Sequence, residues 1–241
     1  TAVEAMKYGA FDYLVKPLEI DQLRTLVEQA SRKAMAEHAR YVEATGHRDD
    51  FAFDGIMGES PAMRDLHAQI EAAARTAAPV LIRGETGTGK ELAARAIHAA
   101  GARAGGPLVA VNAGALSETL LDSELFGHTR GAFTGAHEAR AGKLARASGG
   151  CLLLDEVECL TEAAQLRLLR VLEDGQLEAL GSDRARPVDV RLLCTSKQDL
   201  QQLVQQGRMR RDFYHRVVVL TVFVPPLRQR RADIPALLSH F

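Results

Sequence analysis

Gly84-Glu85-Thr86-Gly87-Thr88-Gly89-Lys90-Glu91 stands between a short apolar run, Pro79-Val80-Leu81-Ile82, and a stretch of helical periodicity that reaches Ala100. Glycines at this spacing let backbone N–H groups turn inward onto phosphate oxygens. The start of the following helix adds positive potential, and Lys90 reaches the outer phosphates. A glycine-rich turn without a ligand is the alternative, and the strand before and helix after weigh against it. Glu91 stands where many such loops carry a Ser or Thr for magnesium. A metal here has to rely on the phosphates, on water and on a second carboxylate.

Outward from this loop, strand and helix signals alternate from Gly55 onward. Ser60-Pro61 reads as an N-cap with proline at the first helical position, opening a helix with Met63, Leu66, Ile70 and Ala73-Ala74 on one side. Further apolar strands are expected at Leu108–Val111, Cys151–Leu154, Val190–Cys194 and Val217–Val224, and a helix carrying Leu166, Leu169, Val171 and Leu172 lies among them. This alternation argues for a parallel sheet covered on both faces, a three-layer α/β nucleotide-binding fold. Upstream, residues 1–30 hold a strand, Ala10-Phe11-Asp12-Tyr13-Leu14-Val15-Lys16-Pro17, and a helix with Ile20, Leu23, Leu26, Val27 and Ala30. That is too little to bury a core, so it reads as the tail of a larger domain. Residues 31–54 are polar and Ala-rich and read as a helix fading into a linker. The first residue is Thr1, so a fragment or a trimmed chain is expected.

Composition excludes several classes. Lys+Arg number 30 against Asp+Glu 31, so no net basic field is available to hold nucleic acid in this stretch. No run approaches the ~18 apolar residues of a membrane span, and no signal-peptide pattern opens the chain. Cys151, Cys159 and Cys194 lack metal-ligand spacing, which suggests reduced thiols and a cytoplasmic location.

The chemistry gathers downstream. Cys151-Leu152-Leu153-Leu154-Asp155-Glu156 is a buried strand delivering two acids at its carboxyl end, where open α/β sheets bind ligands. Asp155 would order Mg²⁺ through water, and Glu156 would orient an attacking water. Asp155 lies 65 residues beyond Lys90, which separates the pair from an ordinary acidic loop start. Arginines for transition-state charge are available in Arg208-Met209-Arg210-Arg211-Asp212-Phe213-Tyr214-His215-Arg216, although such a cluster also suits a solvated face. Finally, Gly131-Ala132-Phe133-Thr134-Gly135-Ala136 begins 41 residues beyond Lys90. Small residues around one aromatic and one hydroxyl read as an exposed flexible finger with Phe133 at its tip. The alternative is a Phe tucked into its own domain.

Across about residues 55–241 these motifs resemble the AAA+ ATPase domain of bacterial sigma-54-dependent transcription activators, the NtrC/DctD group of response regulators. The resemblance rests on Gly84–Glu91, Glu124-Leu125-Phe126-Gly127-His128 leading into Gly131–Ala136, and Gly149–Glu156. Leu168-Leu169-Arg170-Val171-Leu172-Glu173, the arginine segment and Pro226-Leu227-Arg228-Gln229-Arg230 complete it. It implies an ATP- and Mg²⁺-dependent ring, usually a hexamer, whose Gly131–Ala136 loop contacts the sigma-54 subunit of RNA polymerase holoenzyme. It implies that Asn112 restrains Glu156, that Arg210 and Arg216 reach the ATP of a neighbouring subunit, and that Thr195-Ser196 is a sensor segment. The first 30 residues resemble the end of a receiver domain, with Lys16 and Tyr13 as its switch residues. A sensor histidine kinase would act on the missing part, and DNA would be bound only by a C-terminal domain absent here. Phe241 falls inside the expected helical lid. Departures from the family pattern are Arg211 at an acidic position, Val218 for Asn, Gln229 for Glu, Leu144-Ala145 for Phe-Glu and Thr129 for Glu.

The leading expectation is an ATP-hydrolysing activator. A nucleotide-binding regulatory module without turnover and a generic AAA+ remodelling ATPase stand as the other readings.

Overall fold

Five short apolar runs become five strands because each is long enough to cross one sheet and is apolar on both faces. In the computed structural model, which describes residues 55–133 and 135–240, these are β1 (Val80–Arg83), β2 (Leu108–Asn112), β5 (Cys151–Asp155), β8 (Arg191–Ser196) and β9 (Leu220–Phe223). All pairings are parallel and the order across the sheet is β2-β5-β8-β1-β9. The expectations for residues 1–54, with Tyr13 and Lys16, lie outside the described residues, as does Thr134.

Alternation along the strands sorts side chains into two cores. Leu81, Leu152, Leu154, Leu192 and Cys194 join one cluster, and Val80, Ile82, Cys151, Leu153, Leu193 and Val222 join the other. The first is covered by α3 (Glu118–Phe126), α5 (Glu162–Asp174) and α7 (Arg211–Val217), through Leu125, Phe126, Leu168, Leu169, Phe213 and Val217. The second is covered by α1 (Pro61–Ala74) and α2 (Lys90–Ala99), through Met63, Leu66, Ile70, Ala93 and Ile97. The three layers expected from the sequence are therefore present. Cys151 and Cys194 are free thiols buried in the strands, and burial raises both.

Local signals behave as read at α1. Ser60 accepts from Met63 N–H at 3.3 Å with Pro61 next in line. The Ser60 hydroxyl also donates to Asp233 at 2.6 Å, and Asp233 accepts the Glu59 and Ser60 N–H groups at 2.8 Å each. This buried carboxylate fastens the 3₁₀ turn Arg231–Asp233, ahead of α8 (Ile234–His240), to the start of the domain.

Two boundaries differ from expectation. The run Val217–Val224 is not one strand. Phe213 and Val217, four apart, form the buried stripe of α7, so the helix keeps Val217 and β9 starts only at Leu220. Strand β8 also runs beyond Cys194 to Thr195 and Ser196, both fully buried, and this carries polar side chains to the sheet's C-terminal edge.

The remaining elements build two small hairpins on the first face. β3 (Gly127–His128) pairs antiparallel with β4 (Arg140–Ala141), just before α4 (Lys143–Arg146). β6 (Gln176–Glu178) pairs with β7 (Ala185–Pro187), and α6 (Leu200–Gln205) follows β8.

Candidate nucleotide-binding and catalytic site

The loop after β1 has the backbone that a phosphate cradle needs. Gly87 and Gly89 sit at φ +78° and +99°, a region that side chains with Cβ rarely adopt. At Gly84 a Cβ would lie 2.9 Å from the Val224 carbonyl and 2.7 Å from Thr88 Oγ1, so only glycine passes. The first helical hydrogen bond of α2 runs from Ala93 N–H to the Gly89 carbonyl. The N–H groups of Lys90, Glu91 and Leu92 therefore precede the intrahelical ladder and aim at the loop. Lys90 Nζ lies within the same loop, donating to the Gly84 and Glu85 carbonyls at 3.0 and 2.9 Å.

Beside the cradle is a cavity of about 650 Å³, lined on its apolar side by Ile56, Met57, Leu92, Leu227 and Leu237 and on its polar side by Glu85 to Gly89. This size and composition suit a purine base leading to a polyphosphate. Across its mouth Arg228 grips Glu85 in a fork of 2.7 and 2.5 Å, and that guanidinium holds the Glu85 carboxyl below its ordinary range. Glu91, expected with the loop, instead pairs with Arg95 one helical turn on, at 2.6 and 3.2 Å. Its carboxylate serves a surface ion pair of α2 and not the cradle.

The two acids follow at the end of β5. That strand is separated from β1 by β8 alone, which sets Asp155 roughly 10 Å from the cradle by ordinary strand spacing. Asp155 accepts from Asn112 Nδ2 at 2.6 Å on one oxygen and from the Thr195 hydroxyl on the other. A carboxylate held in this way, with lone pairs to spare, fits the hard oxygen donor set of Mg²⁺ and its waters. Thr195 in turn accepts the Glu156 N–H at 3.1 Å, so one buried hydroxyl fixes both acids. Glu156 is the one non-glycine among the described residues with positive φ, at +55°. Such a backbone at the ligand edge of a sheet marks a functional position.

Here the structure corrects an expectation. Asn112 does not hold Glu156. Its amide NH₂ is spent on Asp155, and its carbonyl accepts the Gly114 and Ala115 N–H groups at 2.8 and 3.0 Å. Glu156 Oε1 is taken by Lys197 Nζ at 2.7 Å, and that hydrogen bond raises the lysine above its ordinary range. Gly114 lies against the other oxygen, where a Cβ would come within 2.1 Å of Oε2. Ser196 turns away from the acids, donating to the Gln198 carbonyl and accepting its N–H, both at 3.0 Å. Sequence reading missed Lys197 and Gly114. The only available signal was their nearness to the two strand ends.

Arg210 and Arg216 are not among the residues lining the nucleotide cavity. Arg210 precedes α7, its N–H bound at 2.9 Å by the buried Gln165, and its guanidinium is forked onto Asp212 (2.7 and 3.0 Å) with Glu162 at 3.2 Å. Arg216 donates to the Leu172 carbonyl. Arg211 is exposed and leaves this fork intact.

The Gly131–Ala136 segment is the turn of the β3–β4 hairpin. Gly131 N–H donates to the Ala136 carbonyl at 2.9 Å and Ala136 N–H to that of Phe133 at 3.0 Å, closing the loop on itself. Phe133 is no free tip: it is half-buried, edge-on to His128 with centroids 5.1 Å apart. His128 Nδ1 is braced by the Ser123 hydroxyl at 2.8 Å. The base is pinned to the β6–β7 hairpin, with Thr129 N–H donating to the Leu180 carbonyl at 3.0 Å and its hydroxyl to those of Leu180 and Gly181 at 3.2 and 3.1 Å. Thr129, a departure in the sequence, thus anchors the loop. Leu144, another departure, is fully buried in the first core.

Fold and site together define a P-loop nucleotide-binding domain with an accessory hairpin on one face. The chain belongs to the sigma-54 interaction domain family, whose model matches residues 56–223. Over all 241 residues it is 47% identical to the transcriptional regulatory protein ZraR of Klebsiella oxytoca and 46% identical to the DNA-binding transcriptional regulator NtrC of Escherichia coli K12, covering 53% and 50% of them. The chain thus spans about half the length of the curated relatives it matches. The crystal structure of NtrX from Brucella abortus in complex with ATP superposes with a TM-score of 0.70 at 37% identity, over 98% of this chain and 49% of that one. Among the described residues no helix is long and apolar enough to cross a membrane, and no group of His, Cys, Asp and Glu is placed to hold a metal ion by itself.

Proposed function

We propose that the chain is the ATP-hydrolysing core of a sigma-54-dependent transcription activator working as a cytoplasmic response regulator. The observation that carries this reading is the pairing, within one domain, of the Gly84–Lys90 cradle and the Asp155–Thr195–Glu156 network with a braced hairpin loop at Gly131–Ala136. The cradle N–H groups and Lys90 hold the phosphates of ATP. Asp155 would hold Mg²⁺, and the ion would supply positive charge to offset that of the phosphate oxygens. Glu156 orients the attacking water and accepts its proton.

Arg210 and Arg216 lie apart from their own chain's cavity, which supports action on a neighbour's ATP in a ring, with a hexamer as the expected assembly. The loop, with Phe133 and Thr134 at its turn, contacts the sigma-54 holoenzyme. Residues 1–30 close a receiver domain whose switch includes Tyr13 and Lys16, acted on by a sensor kinase. Residues 31–54 are the linker, and 55–241 the AAA+ unit. DNA is reached through another domain.

The test joins two measurements on the complete gene product. ATP turnover per chain is expected to rise with protein concentration, and sigma-54 holoenzyme is expected to be retained in the presence of a transition-state ATP analogue. Turnover strictly proportional to chain concentration, together with no retention by a protein with its loop intact, contradicts the proposal.

A further inference from the structure

We propose that Lys197 is the positioning residue for Glu156, holding the carboxylate in place where Asn112 was expected to do so. The inference rests on the reading of Glu156 as the water-orienting acid, and it concerns a residue outside the motifs already named.

Lys197 is built to hold one position. Its N–H donates to Glu158 Oε1 at 3.2 Å, and Glu158 is a buried carboxylate in the 3₁₀ turn Val157–Cys159 directly after Glu156. The residue before it, Ser196, is fully buried at the end of β8, and its hydroxyl closes the turn around Lys197 through both polar groups of the Gln198 backbone. The backbone of Lys197 is therefore clamped on both sides. From it the ammonium reaches Glu156 Oε1 at 2.7 Å.

Glu156 has little else to orient it. Asn112 is committed to Asp155 and to two loop N–H groups, and Oε2 receives only a long contact from the Cys159 thiol, at 4.0 Å, among the described residues. The left-handed backbone of Glu156 and the missing side chain at Gly114 set where the carboxylate begins. Lys197 sets where it ends. An acid that must line up a water needs its torsions fixed, and a charge-assisted hydrogen bond from a clamped donor supplies that.

The experiment uses the complete protein with ATP as the probe. Lys197→Met is expected to lower kcat about 10²-fold, the cost of a misplaced catalytic group, while a fluorescent ATP analogue binds with wild-type affinity. Lys197→Arg restores most of the turnover, because it keeps the charge and the reach. On a Glu156→Gln background, Lys197→Met adds no further loss, since a positioning residue acts only through the group it positions. Lys197→Gln, a milder replacement, repeats the series as a check on folding.

Wild-type kcat in Lys197→Met overturns the assignment, and so does an equal loss on both backgrounds. A wild-type protein with no turnover at any concentration overturns the ATPase reading itself, a result distinct from either.

Discussion

The cradle after β1 and the hairpin loop at Gly131–Ala136 are both glycine-rich turns, yet they are held by different means. In the cradle the main chain does nearly everything. Positive φ at Gly87 and Gly89, the free N–H groups opening α2 and Lys90 on two loop carbonyls are all local, within eight residues. The hairpin loop is anchored at its base by residues far away in sequence, with nearer side chains bracing its turn. Thr129 holds the Leu180 and Gly181 carbonyls, His128 meets Phe133, and Ser123 braces His128. A local turn is a fixed receptor. A turn held by a second hairpin moves whenever that hairpin moves.

The comparison can be broken at the chemistry or at the anchors. The largest effect is expected from Arg216→Ala, with turnover falling by about 10³-fold, the scale of a trans-acting arginine. Wild-type ATPase per chain measured at rising concentration, beside the variant, checks this; a variant as active as wild type means the cradle hydrolyses ATP without a neighbour.

Gly181→Val attacks the contact between the hairpins. A Cβ there meets Ala132 Cβ and Thr129 Oγ1 at 2.9 Å each, at a φ of +73°. The expected destabilisation is about 1–3 kcal/mol from backbone strain, read by denaturant unfolding. Proteolysis should cut the 129–139 loop faster while nucleotide affinity holds.

A smaller change is expected from Thr129→Val, which removes the hydroxyl bonds to two carbonyls and costs about 1 kcal/mol. Hydrogen exchange at the Leu180 and Thr129 amides should report it, with the cradle amides unchanged.

The smallest concerns the arginine segment. Hydrogen bonds from Arg210 hold the Asp212 carboxyl below its ordinary range. A depressed carboxyl adds stability above its unfolded pKa of about 3.9, and that stability is lost as pH falls through the lower folded value. Asp212→Asn should therefore lower the melting temperature slightly at neutral pH and flatten the acid limb below about pH 4, the two profiles converging at the acid end. An unchanged acid limb would mean that the fork onto Arg210 is not kept in solution.

Much of the nucleotide end was legible in the sequence because its signals are backbone signals. Glycine spacing, an N-cap serine followed by Pro61, and an apolar strand ending in Asp155-Glu156 each have one conformational consequence. The partners of the side chains were less legible. Asn112 and Lys197 both stand at strand ends, and nothing in spacing says which one reaches Glu156. Register decides: β2 pairs Asn112 opposite Asp155, so its short amide is consumed one residue early. The run Val217–Val224 misled for a related reason. β-branched residues suit a strand until Phe213, one helical turn upstream, recruits Val217 into the buried stripe of α7.

The sequence alone determined the layers, the cradle and the identity of the acids, because hydrophobic period and glycine placement act within a few residues of themselves. Tertiary structure decided which donor holds Glu156, where the two arginines rest and what the Gly131–Ala136 loop leans on. The deciding contacts include pairs far apart in the chain, Glu156 to Lys197 at 41 positions and Thr129 to Leu180 at 51. Only the packed sheet and its hairpins bring them within hydrogen-bonding distance.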